Sequence, residues 1–259
     1  MSILVTELVS TGIIFGSDKN ITYTDHHTGK TSQPEQRTKI LHWPTSSILF
    51  GAVGGANLDG LPFVEWLKKI ENELPPEFSV KDVAIFLHSK VQNSWNSRFK
   101  DEKPEGLIIH LAGFSSSSGV WLPEVWHIAN VEGIGKFGYT GFSNKFYCKE
   151  AFQSELEDIH FSELRRYLRV CEKNLKPFWF HQGFDYPAFN AMQEALKASF
   201  RYLCLNHPSF EMPTTLEEWE KHVKLQVLLY CSYFDAFHDI GNRFVGGGAD
   251  VLSIPWPVE

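Results

Sequence analysis

The stretch MSILVTELVSTGIIFGSD, residues 1–18, predicts two strands at the very start of the sequence. Apolar and β-branched residues fill both halves of the stretch, and Ser10-Thr11-Gly12 supplies turn residues between them. Chain ends usually fray, but a strand that begins at residue 3 fixes the position of Ser2. Ser2 is therefore either a small residue tolerated at a strand end or a residue placed there for chemistry.

The composition is that of an ordinary globular protein and argues against several function classes. Of the 259 residues, 43% are hydrophobic and 21% are charged, and the formal net charge is −7. This acidic balance does not favour binding to nucleic acid or to an anionic membrane surface. No stretch approaches the roughly 20 apolar residues of a membrane span, and no secretory signal is recognised. We expect a cytoplasmic protein with no nucleic-acid partner and no membrane partner.

The order of the predicted elements indicates an α+β fold. Strand patterns fill the first quarter, and the continuous apolar run Ile48–Val53 predicts a strand buried on both faces. Two helical patterns follow, the second opened by a capping box at Ser79 and Asp82. Because strands and helices then come in groups and do not alternate, a doubly wound parallel sheet is excluded.

The later elements complete this order. Strand patterns return in GLIIHLAGF, VWLPEVWHI and GKFGYTGF, which are separated by turns at 115–119 and 130–133. Helical patterns cover 162–173, 188–205 and 216–237, and GGGADVLSI supplies a glycine turn and a last strand. No repeat or linker composition interrupts the sequence. We expect a single domain over 1–259, with insertions near 23–38 and 174–214, and with the aromatic-rich segment 178–189 packing on the body as part of the second insertion.

Several kinds of catalytic or cofactor site find no support in the motifs. His26-His27 lies in a polar loop without the spaced partners of a metal site, and no H-E-x-x-H is present. His110 and His127 fall inside predicted strands, where a structural histidine is the commoner explanation. GAVGGANLDG and GGGAD lack the Lys and the following helix of phosphate loops, and no G-x-S-x-G nucleophile turn occurs. The four cysteines form no C-x-x-C pair, so reduced thiols are expected. No cofactor or metal is predicted.

Ser2 remains as a candidate nucleophile. A hydroxyl on the first residue of a mature chain can be activated by the chain's own α-amino group, whose pKa is about 7.7 to 8.0. Removal of Met1 is expected when a small residue such as Ser follows it. The hydroxyl and the amine would then stand together at the end of the first strand.

From this point the sequence resembles the proteasome-like N-terminal-nucleophile hydrolases, which include proteasome β-subunits and the bacterial proteasome-related peptidases. Their chains open with a nucleophile, a strand, a glycine turn, a second strand and then Asp-x-x-x-Thr. Gly12, Asp18 and Thr22 fall at the matching distances from Ser2 without a gap.

Three further segments extend the resemblance over most of the chain. Lys39, followed by Val53-Gly54-Gly55-Ala56, is similar to the family's lysine and A-G-G-A loop, with one extra residue between them. GYTGF is similar to a short Ser-Gly segment of the family, with Thr140 at the serine position. GGGADVLSI is similar to the family's closing Gly-Gly strand.

The resemblance implies a four-layer αββα sandwich of two antiparallel sheets and a set of roles. Ser2 would attack a carbonyl and its amine would carry the proton, while Lys39, oriented by Asp18, would lower the pKa values of both groups. The Gly54 N–H would face the oxyanion, a contribution of about 3 to 4 kcal/mol in related sites. The substrate-binding residues would be Thr22, Gly55, Ala56 and Thr140. Relatives stack in rings, so the resemblance also implies a homo-oligomer, and it leaves any regulatory ATPase unidentified.

Two positions depart from the family pattern and keep three functions open. Active members carry an Asp and a Ser before the closing Gly-Gly, where this chain has Arg243 and Gly246. The leading expectation is an amide-bond hydrolase that acts on peptides. The second is a non-catalytic proteasome-like subunit with structural or assembly duties. The third is an N-terminal-nucleophile amidase for a small molecule, because fold does not fix substrate.

Overall fold

The computed structural model contains helices and antiparallel sheets and confirms the α+β class. It describes residues 2–21, 32, 35–55, 57–75, 78–98, 105–117, 120–135, 138–151, 163–174, 178–183, 186–237 and 245–257. At 117, 133–135, 138–140, 178–183, 186–190 and 237 it describes the backbone alone. The predicted insertion near 23–38 lies mostly outside the described residues.

The first sheet has four strands in the order β12-β1-β2-β13, and its neighbouring strands are antiparallel. Its strands are β1 (Ile3–Val9), β2 (Gly12–Asp18), β12 (Phe178–Gly183) and β13 (Ala249–Pro255). The β1–β2 hairpin pairs Val9 with Gly12 and Leu4 with Ser17, as the opening stretch of sequence predicts. Ser2 therefore precedes a central strand of the sheet.

The second sheet has five antiparallel strands in the order β11-β10-β9-β6-β5. Its strands are β5 (Ile40–Trp43), β6 (Ile48–Gly54), β9 (Leu107–Ser117), β10 (Val120–Gly135) and β11 (Gly138–Glu150). Two short pairs lie outside these sheets: β3 (Asn20–Ile21) with β4 (Glu35–Gln36), and β7 (Asn57–Leu58) with β8 (Leu61–Pro62).

Five α-helices complete the described elements: α1 (Phe63–Ile70), α2 (Val80–Arg98), α3 (Leu164–Lys173), α4 (Tyr186–Asn206) and α5 (Leu216–Phe237). A 3-10 turn, Glu71–Glu73, follows α1. The predicted capping box before α2 forms, because Ser79 and Asp82 bond each other's backbone N–H. Thr215 and Glu218 form the same arrangement before α5.

Three hydrophobic clusters show which surfaces pack together. The first joins the five-stranded sheet to α1 and α2, the second joins the two sheets and α3, and the third joins the four-stranded sheet to α5. Strand β6 shows how one sequence serves two clusters, since Ile48 and Phe50 belong to the first and Leu49 and Val53 to the second. The expectation that this strand is buried on both faces is confirmed.

One sequence expectation about strands is wrong. The predicted break at 130–133 is absent, because β10 continues to Gly135 and contains the irregularity as a register shift between Ala129 and Val131. The structure also adds a strand that the sequence analysis does not predict, because segment 178–183 forms β12 and pairs with β1 along its whole length. Pairing with a distant strand is not encoded in local pattern.

The two strand histidines lie in a buried polar contact within the β-sheet core. The Thr6 hydroxyl and His110 Nδ1 are 3.1 Å apart, and the His110 ring stacks on His127 with centroids 4.1 Å apart. Burial lowers the pKa of His110 well below its ordinary value, and burial together with the Lys149 charge lowers the pKa of His127 to about 4. Both rings are therefore neutral near pH 7 and have a structural place, as the sequence predicts.

Candidate active site

The hairpin geometry brings Asp18 beside Ser2. Asp18 ends β2, one step past the Leu4–Ser17 pair, and therefore lies opposite the residue that begins β1. The backbone N–H of Ile3 donates to Asp18 Oδ1 at 2.9 Å. The spacing noted in the sequence thus corresponds to a direct contact between the two strand ends.

Lys39 reaches the same point from the other sheet. It stands just before β5, and its carbonyl accepts from the Ala52 N–H of β6 at 3.2 Å. Its Nζ donates to Ser2 Oγ at 3.0 Å and to Asp18 Oδ1 at 2.7 Å. Ser2, Asp18 and Lys39 therefore form one contact set in which the lysine lies between the hydroxyl and the carboxylate.

All three side chains are buried, which makes their charges consequential. Asp18 is 0% exposed, Lys39 is 5% exposed and Ser2 is 8% exposed. Burial lowers the pKa of Lys39, and the neighbouring Asp18 carboxylate opposes that decrease by its charge and its hydrogen bond. An ammonium held at 3.0 Å from Ser2 Oγ would stabilise negative charge that develops on that oxygen.

Asp18 is fixed by a third donor, from a residue that the sequence marks as a departure from the family pattern. The backbone N–H of Gly246 donates to Asp18 Oδ2 at 3.2 Å. Gly246 has φ +145°, a conformation that favours glycine. This contact uses the backbone alone, and residue 246 adds no side-chain hydroxyl to the site.

Gly54 ends β6, where it pairs with Leu107 of β9. It follows Ala52, which is bonded to Lys39, by two residues, and it has φ +105°. A residue with a side chain would be strained at this φ. The Gly55 N–H donates to the Gly106 carbonyl at 2.8 Å, so that donor is already used within the fold.

The structure does not describe several residues that the sequence analysis assigns to the site. Met1, Thr22, Ala56 and Arg243 lie outside the described residues. Thr140 lies in β11, but its side chain is not described. Their sequence-based roles stay predictions.

A cavity of about 260 Å³ opens beside the Ser2–Lys39 contact, because Lys39 is one of its lining residues. Its other lining residues come from β3, the segment before β5, strand β6, β8 and α1: Ile21, Arg37, Thr38, Ala52, Pro62, Phe63, Val64, Glu65 and Lys68. The sequence did not predict these residues as a site. Phe63 is buried and Lys68 is exposed on α1, and the fold brings both of them to the same cavity as Lys39.

The buried thiol of Cys231 interacts electrostatically with Asp18 and Lys39. Burial raises its pKa to about 12, with Asp18 adding to the increase and Lys39 opposing it. The protonated thiol is a poor nucleophile, so the structure gives no support for Cys231 in that role.

The described part of the chain also lacks two other features. No group of three His, Cys, Asp or Glu side chains there is arranged to hold a metal ion. None of the described helices combines the length and the apolar character that a membrane crossing requires.

No protein-family model matches this sequence, and no curated protein matches it. Among solved structures, the fold is similar to that of the Anbu (Gly-1) mutant from Hyphomicrobium sp. strain MC1. The two chains are 14% identical, and the match covers 98% of this chain and 82% of that chain with a TM-score of 0.46.

Proposed function

We propose that this chain is a proteasome-like N-terminal-nucleophile hydrolase that cleaves amide bonds in peptides by acyl transfer to Ser2. The observation that supports it most strongly is the Lys39 ammonium, held between Ser2 Oγ and Asp18 Oδ1 at 3.0 and 2.7 Å in a buried setting. The ion pair with Asp18 explains how the lysine charge is tolerated in a buried place, and a positive charge on a serine hydroxyl favours its activation as a nucleophile.

The packing agrees with the fold that this function requires. Helices α1 and α2 cover the outer face of the five-stranded sheet, the two sheets share a cluster, and α5 packs on the four-stranded sheet. We propose that these contacts form a four-layer αββα sandwich in a single domain. In such a sandwich the start of β1, the end of β2 and the start of β5 meet. Ser2, Asp18 and Lys39 are found at these three places.

The proposed reaction starts once removal of Met1 frees the Ser2 amine. Ser2 Oγ attacks the substrate carbonyl carbon, and its proton passes to the α-amine, directly or through water. The C–N bond then breaks, the proton leaves with the amine product, and the acyl group stays on Ser2 as an ester. Water attacks the ester with the same amine as base, which releases the acid and restores the Ser2 hydroxyl.

The other proposed roles follow the family pattern. Lys39 stays protonated and lowers the pKa values of the amine and the hydroxyl, and Asp18 orients it. The Gly54 N–H stabilises the oxyanion of the tetrahedral intermediate. Thr22, Gly55, Ala56 and Thr140 contact the substrate, with Thr22 pairing an extended peptide in the manner of a strand.

Intact-mass analysis combined with inhibitor labelling tests this function. We expect the purified protein to lack Met1, to hydrolyse fluorogenic peptides, and to form a mass adduct on Ser2 with an inhibitor directed at N-terminal nucleophiles. Ser2→Ala should lose turnover and adduct, whereas Ser209→Ala, at an exposed position after α4, should retain both. Retention of Met1 together with an unreactive Ser2 would overturn the proposal.

The second candidate is a non-catalytic proteasome-like subunit. It is favoured by Gly246, which supplies a backbone N–H to Asp18 but no hydroxyl. In that case wild-type protein and Ser2→Ala would be equally inactive on peptides and on small amides, and equally free of adduct. Turnover of small amides without turnover of peptides would instead identify a small-molecule amidase.

A further inference from the structure

The volume and the charges of the cavity beside Lys39 limit which substrate groups it can bind. Its volume is about 260 Å³. Sites for whole small molecules usually span about 300 to 1,000 Å³, so this cavity suits one side chain of a longer substrate. Lys39 lines the cavity, and its Nζ contacts Ser2 Oγ, so a side chain bound there would bring its own carbonyl near the nucleophile.

Apolar groups and charged groups occupy different parts of the lining. Phe63 and Val64 are buried, and with Ala52 they supply an apolar surface. Arg37, Lys68 and Glu65 are exposed residues at the same cavity. Such a lining accommodates a side chain with a short apolar stem and a charged end.

The lining of the cavity carries more cationic than anionic side chains. Lys68 and Glu65 are three residues apart on α1, yet neither has an ion-pair partner among the residues that the structure describes. Arg37 pairs with Glu35 at 2.9 Å, but the two side chains are 41% and 52% exposed. Exposed ion pairs of this kind contribute about 0 to 1 kcal/mol to stability. A substrate carboxylate can therefore compete with Glu35 for the Arg37 guanidinium. Lys39, already paired with Asp18, adds a further positive charge to the wall.

We propose that this cavity selects an acidic side chain, Glu or Asp, on the residue whose carbonyl Ser2 attacks, and that Lys68 and Arg37 bind its carboxylate. This substrate class rests on the proposed hydrolase function. The carboxylate would lie between α1 and the segment before β5, and the stem would pack on Phe63 and Val64. Glu65 would disfavour additional negative charge, which limits the selection to one carboxylate.

The first test measures turnover of three peptides that differ only at this residue, which is Glu, Leu or Lys. We expect kcat/KM to be highest for Glu and lowest for Lys. Lys68→Glu should lower the Glu-to-Lys ratio by about tenfold, given two changed pairings of up to about 1 kcal/mol each, and Arg37→Gln should lower it less. Added salt should reduce the ratio, because exposed charges are screened.

Lys69→Glu is the matched control, because Lys69 is exposed on the same helix but does not line the cavity. It makes the same charge change one residue away and should leave the ratio within about twofold, as expected for a screened surface charge. Equal effects of Lys68→Glu and Lys69→Glu would overturn the proposal. So would turnover without a preference for Glu.

The second test separates this proposal from the hydrolase function. Binding of fluorescein-labelled forms of the same peptides to Ser2→Ala is followed by fluorescence anisotropy, which needs no turnover. Tighter binding of the Glu peptide, reversed by Lys68→Glu, supports the cavity assignment even if no peptide is hydrolysed by the wild type. In that outcome the hydrolase function falls and the cavity selectivity stands. Equal binding of all three peptides overturns the selectivity.

Discussion

At the scale of single residues, Asp18 organises the site. Its carboxylate accepts from the Ile3 N–H, the Lys39 ammonium and the Gly246 N–H, so three segments of chain meet on one fully buried group. A buried charge is tolerated when it is paired and hydrogen-bonded, and removal of one partner leaves the other uncompensated. Asp18 therefore has a structural role and a proposed catalytic role, which need separate tests.

Asp18→Asn should destabilise the fold by about 3 to 5 kcal/mol, because it leaves the Lys39 ammonium buried without a counter-charge. The double variant Asp18→Asn/Lys39→Met removes both charges and should recover most of that loss. Urea unfolding at pH 7 measures the free energy of unfolding of each variant. Peptide turnover should be absent from both, which separates catalysis from folding.

A double variant that is as unstable as Asp18→Asn would contradict the buried-pair account. A double variant that keeps peptide turnover would contradict the proposed role of Lys39.

The pH dependence of kcat/KM should be bell-shaped. The acid limb reports deprotonation of the Ser2 amine, whose ordinary pKa is about 7.7 to 8.0 and which Lys39 should lower. The alkaline limb reports loss of the Lys39 charge. Its midpoint should lie below pH 10.5, because burial lowers the pKa of this lysine. Lys39→Arg keeps its charge throughout, so its alkaline limb should be lost, even if its rate is lower.

An alkaline limb that is the same in Lys39→Arg and in the wild type would assign that limb to another group. It would contradict the requirement for a charged Lys39.

The family resemblance grouped Ser2, Asp18 and Lys39, and the structure brings the three side chains into contact, but the resemblance did not give their surroundings. Asp18 and Ser2 lie on one hairpin, and Lys39 precedes a strand with a recognisable pattern. The Gly246 N–H and the lining residue Lys68 reach the site only through the packing of distant elements. Almost any residue can supply a backbone N–H, so the residue type at position 246 does not reveal the contact with Asp18.

At the scale of elements, strand β1 shows why the fold could be inferred. Ile3 and Val5 face α5, and Leu4 and Leu8 face the other sheet, so an unbroken apolar run is a sign of burial on both faces. Local pattern also fixed the capping boxes and the helices that follow them. It failed for β12 and for the continuous β10, where long-range pairing decides the outcome.

The stacked histidines predict how the sheet core responds to acid. The folded-state pKa of His127 is about 4, below its ordinary value of 6.5. Between these pH values the unfolded chain binds a proton that the folded chain does not, so stability falls as the pH falls from 6.5 to 4. His127→Gln should remove on the order of 2 to 3 kcal/mol of this loss. Urea unfolding at pH 7 and pH 4.5 measures the difference.

His207→Gln provides the control, because His207 is exposed beyond the end of α4. It should leave the acid sensitivity of the wild type unchanged. The account of the histidine pair fails if His127→Gln and the wild type lose the same stability between the two pH values.

At the scale of the whole molecule, helix α5 exposes a stripe of leucine side chains. Leu225, Leu228 and Leu229 are exposed on α5, while Val223, Val227 and Tyr230 on the same helix are buried against the four-stranded sheet. The spacing of three and four residues aligns the exposed set along one stripe. Contiguous exposed apolar groups commonly mark an interaction surface. The homo-oligomer expected from the sequence resemblance offers a second copy as the occupant.

We therefore expect native mass spectrometry to show a homo-oligomer and Leu229→Glu to shift it toward the monomer, because a carboxylate in an apolar contact must be desolvated without a partner. Ile85→Glu makes a like change at an exposed apolar position, 52% exposed, on α2. Since α2 covers the other sheet, this control should keep the oligomer. Dissociation by Ile85→Glu but not by Leu229→Glu would place the interface on α2. A wild-type monomer would remove the α5 stripe as an interface between copies and leave its exposure to be explained by a different partner.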